Sequence, residues 1–156
     1  HLALVGDGTE LPRLRQLAQE LAMEDRVIFV GAAAYPDMPD YYAAADFFCM
    51  ASTTEVKPLV VLEALASQLP VVAVSACGTA DTVSHNQDGL LTSERLEDFA
   101  AACSSLCHDR ALRQRLAQQA GRTAKEYSIE NYTLRLVELY REACARSALA
   151  SHMVVP

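Results

Sequence analysis

Two carboxylates, Glu55 and Glu63, stand on either side of a helix start, with seven residues between them. The stretch Ser52 to Ala73 reads STTEVKPLVVLEALASQLPVVA. Its polar lead-in, Ser52-Thr53-Thr54-Glu55, runs into a helix with Pro58 near the first turn, where a missing backbone N–H costs least. The first turn of a helix presents unpaired N–H groups and a partial positive charge, which suits a phosphate. One carboxylate at the mouth and one a turn or two in can grip the hydroxyls of a sugar and a ribose beside that phosphate. The plainer readings stay open: Glu55 as a loop acid or helix cap, Glu63 as a solvated helix carboxylate.

The elements around this stretch follow from periodicity and turn residues. Leu59, Leu62, Leu65 and Ala66 give the helix an apolar face. It ends near Gln68-Leu69-Pro70 and delivers Val71 to Val74, a β-branched run expected to be a buried parallel strand. Upstream, Leu2–Val5 is a strand ending at Gly6-Asp7-Gly8. A helix follows over Glu10–Met23, with Thr9 as its expected N-cap and Leu14, Leu17, Ala18 and Leu21 as its buried face. Val27–Val30 is a strand closed by Gly31, and Met38–Ala45 a short helix capped by Asp37. Asp46–Met50 is a third strand. Downstream, Gly78–Ser84 is a short helix or turn, and Asp88-Gly89 turns the chain before Leu90-Leu91. Ser93 caps a helix through Cys107, and further helices span about Arg110–Tyr127 and Ile129–Arg146. Alternating strands and helices predict an α/β fold, a Rossmann-like parallel sheet with helices on both faces. Ligands of such sheets sit beyond the carboxyl ends of the strands. The loops there, Gly6–Gly8, Gly31-Ala32, Ala51–Lys57 and Ser75–Gly78, are expected to open on one side.

This pattern resembles the retaining glycosyltransferase group 1 family, of GT-B fold. Four ordered pieces carry the resemblance: Leu4-Val5-Gly6-Asp7-Gly8; Glu55 with Glu63-Ala64-Leu65-Ala66; Pro70-Val71-Val72-Ala73; and Gly78-Thr79-Ala80-Asp81 followed by Asn86-Gln87-Asp88-Gly89-Leu90-Leu91. The resemblance covers nearly the whole chain up to the last helices. It implies the C-terminal, nucleotide-sugar half of such an enzyme. Glu55, the catalytic candidate, would hold hydroxyls of the transferred sugar, and Glu63 would bind the ribose. Backbone amides at Leu59 and Val60 would meet the diphosphate, Gly31 would lie near the base, and Gly6 belongs to the donor-binding set. The donor implied is an NDP-sugar, UDP-linked before GDP-linked, with no cofactor and no obligatory metal. Two positions depart from the pattern. Pro58 stands where the family usually has glycine, removing a phosphate donor, and Lys57 offers a charge in compensation. Gln68 replaces a glycine at a helix end that favours the left-handed conformation.

By the same resemblance, the family's first βα unit, with its basic loop, and its acceptor domain lie outside these residues. Residues 1–148 are expected to form a partial donor domain, inactive alone, with 149–156 a disordered tail or a cloning remnant. The sheet edge left open is expected to invite a homodimer.

Composition bounds the rest. The chain has 156 residues, 51% hydrophobic and 21% charged, as in a globular domain. A net charge of −7 argues against nucleic acid as partner. No apolar run approaches the roughly 20 residues of a membrane helix, and no basic leader precedes the first strand. Five cysteines, an odd number without framework spacing, read as reduced thiols in a cytoplasmic protein. The full-length protein is expected in the cytoplasm, with peripheral attachment to the membrane one option. Cys103, Cys107 and His108 are read as helix residues, the cysteines in the core, rather than as a metal cluster. His85 and Asp81 are expected to have no direct role. Two other functions stay open: a non-catalytic nucleotide-binding or assembly module, and a sugar-nucleotide epimerase of the same architecture. A dinucleotide dehydrogenase is disfavoured, since no Gly-x-Gly-x-x-Gly follows a strand.

Overall fold

A computed structural model describes residues 1–152, with side chains to residue 146. The chain divides into two compact units, His1–Ala44 and Ala45 onward.

The first unit contains β1 (Leu2–Val5), α1 (Leu11–Glu20), β2 (Val27–Gly31), a 3-10 turn (Tyr35–Asp37) and α2 (Met38–Ala43). β1 and β2 pair in parallel, Leu2 opposite Val27 and Leu4 opposite Phe29, with a register shift before Val5 meets Gly31. Three sequence expectations need correction here. Thr9 does not cap α1; the backbone turns early, Leu11 N–H donates to the Gly8 carbonyl (3.1 Å), and Glu10 takes the cap position without a side-chain bond. Of the expected buried face only Ala18 is sealed; Leu14, Leu17 and Leu21 are exposed. Two strands lie about 5 Å apart, too narrow a sheet to cover a helix about 10 Å across. Asp37 precedes α2 without a capping bond; its backbone is already helical (φ −87°, ψ −12°) rather than in the extended conformation from which a side chain caps.

The second unit is built on a three-stranded parallel sheet in the order β3-β4-β5, with β3 Phe48–Met50, β4 Val71–Val74 and β5 Gly89–Thr92. Its helices are α3 (Leu59–Ala66), α4 (Cys77–Ala80), α5 (Leu96–His108), α6 (Arg110–Glu126) and α7 (Ile129–His152). β4 is central, and all four of its residues are buried, as a parallel strand covered on both faces must be. Val72 joins Leu90, Leu106 and Leu116 in the core cluster. The buried residues of α3 are Val61, Ala64 and Leu65, not the expected Leu59, Leu62 and Ala66. Pro58 before the helix and Leu69 after it are also buried. The apolar line therefore runs Pro58, Val61, Leu65, Leu69, at helical spacing, and turns Leu59 outward.

Helix ends explain the remaining differences. Pro58 is the N-cap of α3, in extended conformation, rather than a first-turn residue; its carbonyl accepts from Val61 and Leu62 N–H. Gln68 has φ +58°, the left-handed conformation expected at that helix end. Ser93 accepts from Arg95 N–H (3.1 Å) and bonds the Asp98 carboxylate, so it orders the turn before α5 while Arg95 holds the cap position. Asp109 caps α6, accepting from Leu112 N–H at 2.8 Å. α4 is shorter than expected, and the chain after Ala80 continues as turns. α7 runs on past Arg146 to His152, so the tail expected from residue 149 is helical backbone at its start; residues 153–156 lie outside the described residues. No described helix is long and apolar enough to cross a membrane.

Candidate functional site

The loop between β3 and α3 leaves the carboxyl end of β3 and carries Glu55, which is half-buried. Two bonds fix it. Ser52 Oγ donates to Glu55 Oε1 (3.2 Å), orienting the carboxylate. Gly78 N–H donates to the Glu55 carbonyl (2.9 Å), tying the loop to the start of α4. A Cβ at Gly78 would fall 2.5 Å from that carbonyl oxygen, so no larger residue fits without moving backbone. The loops after β3 and β4 thus meet, as their common position beyond the strand ends requires.

Thr79 and Thr82 stiffen the second loop. The buried Thr79 hydroxyl donates to the Val74 carbonyl and accepts from Ala76 N–H (3.1 Å). Thr82 Oγ1 donates to the Gly78 carbonyl at 2.7 Å. Thr82 also accepts from Lys57 Nζ at 3.4 Å, and the same ammonium lies 4.2 Å from the centre of the Tyr127 ring. Tyr127 in turn donates its hydroxyl to the Asp81 carbonyl (3.2 Å). Lys57, proposed from sequence as a spare positive charge, is therefore held by an aromatic face and a hydroxyl; such a cation–π contact contributes about 0.5–1 kcal/mol at an exposed site.

Beyond Pro58 the helix opens at Leu59 and Val60, both exposed, with Val56 exposed beside them in sequence. Glu63 is half-buried and follows Leu59 and Val60 by four and three residues, which puts it on their face of α3 one turn along. The segment thus combines a fixed carboxylate, an exposed helix N-terminus and a second carboxylate one turn in. Such an arrangement can place a polyanion at the helix end and accept hydrogen bonds from hydroxyl groups on either side.

Gly6 and Gly31, the other two sequence candidates, lie in the first unit and meet each other there. Gly6 N–H donates to the Gly31 carbonyl (2.8 Å). Their φ angles of +138° and +81° suit glycine, and a Cβ at either would meet nothing within 4 Å. Backbone conformation accounts for both.

Sequence reasoning missed the roles of Thr79, Thr82 and Tyr127. Gly78 was quoted as part of a motif but not as the clamp on Glu55; its position right after a buried strand was the available signal. Tyr127 gave none, lying 70 residues beyond Lys57. His85 Nδ1 accepts from Leu91 N–H (3.0 Å) and Asp81 serves through its carbonyl, both structural uses. Cys107, expected in the core, is exposed in the last turn of α5, where Leu106 takes the buried position. Among the described residues no three metal-ligating side chains gather.

Comparison with known proteins adds an independent line. The family described as "Glycosyl transferases group 1" matches residues 1–123. The GDP-mannose-dependent alpha-(1-6)-phosphatidylinositol monomannoside mannosyltransferase of Mycobacterium tuberculosis is 38% identical over 117 residues, 70% of this chain and 30% of that protein. Among solved structures, Anabaena HepE in complex with UDP superposes with a TM-score of 0.78 at 28% identity, over 90% of this chain and 40% of its own. Sucrose-phosphate synthase from Thermosynechococcus elongatus superposes with a TM-score of 0.80 at 31% identity, over 93% of this chain and 39% of its own. The chain spans 30% to 40% of these three.

Proposed function

The chain belongs to the glycosyl transferases group 1 family, and from that premise we propose that the segment from Ser52 to Ala66 is the donor site of a retaining glycosyltransferase. Its α/β fold, parallel sheets flanked by helices, is shared with GT-B neighbours. The proposed whole protein moves a sugar from an NDP-sugar to an acceptor hydroxyl, and these residues form its C-terminal, donor-binding domain. A separate acceptor domain is its proposed partner within the same protein.

The observation that carries this reading is the fixed Glu55. Its carboxylate is oriented by Ser52 and its carbonyl is clamped by Gly78. A carboxylate held in one rotamer binds sugar hydroxyls without first losing side-chain freedom. Glu63, one turn into α3, takes the ribose hydroxyls. The N-terminal turn of α3 at Leu59 stabilises the charge that develops on the departing diphosphate. We take UDP as the base carrier. HepE with UDP supports that choice, while the mycobacterial relative is GDP-mannose-dependent by name.

The test is calorimetric titration of the chain with UDP and GDP, beside Glu63→Ala. Binding of UDP, lost in the variant, is the expected result. Binding of GDP alone reverses the base assignment, and binding undiminished in the variant removes Glu63 from the ribose.

One observation favours a second reading, a nucleotide-binding or assembly module without catalysis. The Lys57 ammonium is engaged by Tyr127 and Thr82, and Pro58 offers no N–H to a phosphate. Weak binding of either nucleotide supports the binding module, and failure of both to bind supports the assembly module. Location in the cytoplasm completes the proposal, supported by five free cysteines. Self-association through an open sheet edge is also proposed; β1 and β2 each have one unpaired edge in their two-stranded sheet.

A further inference from the structure

Cys49 and Cys103 come from elements that sequence does not pair, yet their sulfurs lie 3.6 Å apart. Cys49 sits in β3, an edge strand of its sheet, and Cys103 in the middle of α5. Both are free and half-buried against the Val72, Leu90, Leu106 and Leu116 cluster. A disulfide needs its sulfurs about 2.05 Å apart, so a movement of under 2 Å, within the reach of two side-chain torsions, closes the gap. The described residues of the site above make no use of either thiol.

We propose that Cys49 and Cys103 are a reversible thiol–disulfide pair, oxidised by peroxide. The half-exposed Cys103 Sγ, as thiolate, attacks hydrogen peroxide. The O–O bond breaks, hydroxide leaves, and Cys103 becomes a sulfenic acid. Cys49 Sγ then attacks the Cys103 sulfur, the S–O bond breaks, and the oxygen leaves as water. Two thiols and one peroxide thus give one disulfide and two waters. A thiol-based reductant reverses the step by exchange.

The order of the two steps follows from the surroundings. The hydrogen bond from Cys49 lowers the Cys103 thiol below its ordinary range, against the opposing effect of burial. The same bond, followed by burial, pushes Cys49 strongly up. Cys103 is also the less buried thiol of the pair and the one peroxide reaches first, so it is assigned the attack and Cys49 the resolving step. Cys107, one turn along α5 and exposed, is the competing partner. The bond would pin edge strand β3 to α5, and β3 runs within two residues into Ser52 and the Glu55 loop.

The experiment treats the reduced 156-residue chain with hydrogen peroxide and maps its peptides. The expected product is a monomer lighter by two hydrogens, with one bond joining Cys49 to Cys103. Cys77, Cys107 and Cys144 remain open to maleimide. Its melting temperature rises, because the closed loop restricts the unfolded chain, and dithiothreitol restores the original value. In Cys49→Ala, Cys103 stops at the sulfenic acid and is trapped by dimedone; in Cys103→Ala, Cys49 stays reduced at the same exposure. A Cys103–Cys107 bond, a covalent dimer, or Cys103 carried to sulfinic acid in the unmutated chain would overturn the pair. Trapping at Cys49 in place of Cys103 would overturn the order of attack. The wild-type map needs no variant to fold.

Discussion

A methyl group on Gly78 would lie 2.5 Å from the Glu55 carbonyl oxygen and 2.6 Å from that of Val56. Both obstacles are backbone, so neither moves as a flexible side chain does. Gly78→Ala must therefore push the loop away from α4 and break the Gly78 N–H bond to Glu55. The expected cost is about 1–3 kcal/mol of stability, read by denaturant unfolding, together with weaker binding of UDP-sugar. Ser52→Ala separates the two effects. It removes only the bond to Glu55 Oε1 and leaves stability nearly unchanged. UDP-sugar affinity is expected to fall several-fold while UDP affinity stays constant; equal losses for both would detach Glu55 from the sugar. A buried carboxylate supplies a third residue-scale case. Asp88 accepts from Ser84 N–H and Thr123 Oγ1, each at 2.8 Å, and is fully buried. Thr123→Val leaves one carboxylate oxygen without its donor and should cost about 1–3 kcal/mol. At this scale Glu55 and Glu63 were legible as candidates because type, spacing and a helix start coincide within a short segment. Tyr127 and Thr82 were not, since a side-chain contact across 70 or 25 residues leaves no local pattern.

Elements were legible wherever composition is strong on its own. The run Val71 to Val74 reads as a buried strand and is one, because four consecutive apolar residues must be covered on both faces. Amphipathic helices were placed well along the chain but less well in rotation. In α3 nearly every residue is apolar, so periodicity alone does not choose which stripe faces the sheet; the buried Pro58 and Leu69 choose it. The joint between α3 and α6 offers a test at the same scale. Gln68 holds a left-handed φ of +58°, a conformation that costs a side-chain-bearing residue about 1–2 kcal/mol. Its Cγ would lie 2.9 Å from a Cβ added at Gly121 in α6. Gly121→Ala gains about 1 kcal/mol of helix propensity but displaces the Gln68 side chain. In a Gln68→Gly background the same alanine meets open space. A double-mutant cycle by thermal unfolding should therefore show Gly121→Ala more stabilising in that background than beside the native Gln68. Additive effects would mean that Gln68 swings aside at no cost.

Over the whole molecule, burial is divided unequally between the two units. Of the buried apolar residues among those described, only Ala18 and Tyr42 fall in His1–Ala44; the others lie from Pro58 to Ala120. Apolar burial is the main favourable term in folding, so the first unit has much the smaller reserve. Amides of β1 and β2 should exchange with deuterium well before those of β4, and heating should unfold residues 1–44 at a lower temperature than the rest. The alternation of strands and helices made the α/β class legible but concealed this division, since burial depends on how many strands stand beside each helix. Ligand linkage then localises the site. A ligand that binds only the folded state stabilises it by about 2.7 kcal/mol at a hundred times its dissociation constant. Glu55 and Glu63 both lie in the second unit, so UDP at that excess should slow exchange in β4 and α3 and raise the upper transition. The Glu63→Ala chain should show no such shift. Protection confined to β1 and β2 would instead move the nucleotide to the segment around Gly6 and Gly31, and with it the chemistry assigned to the Glu55 loop.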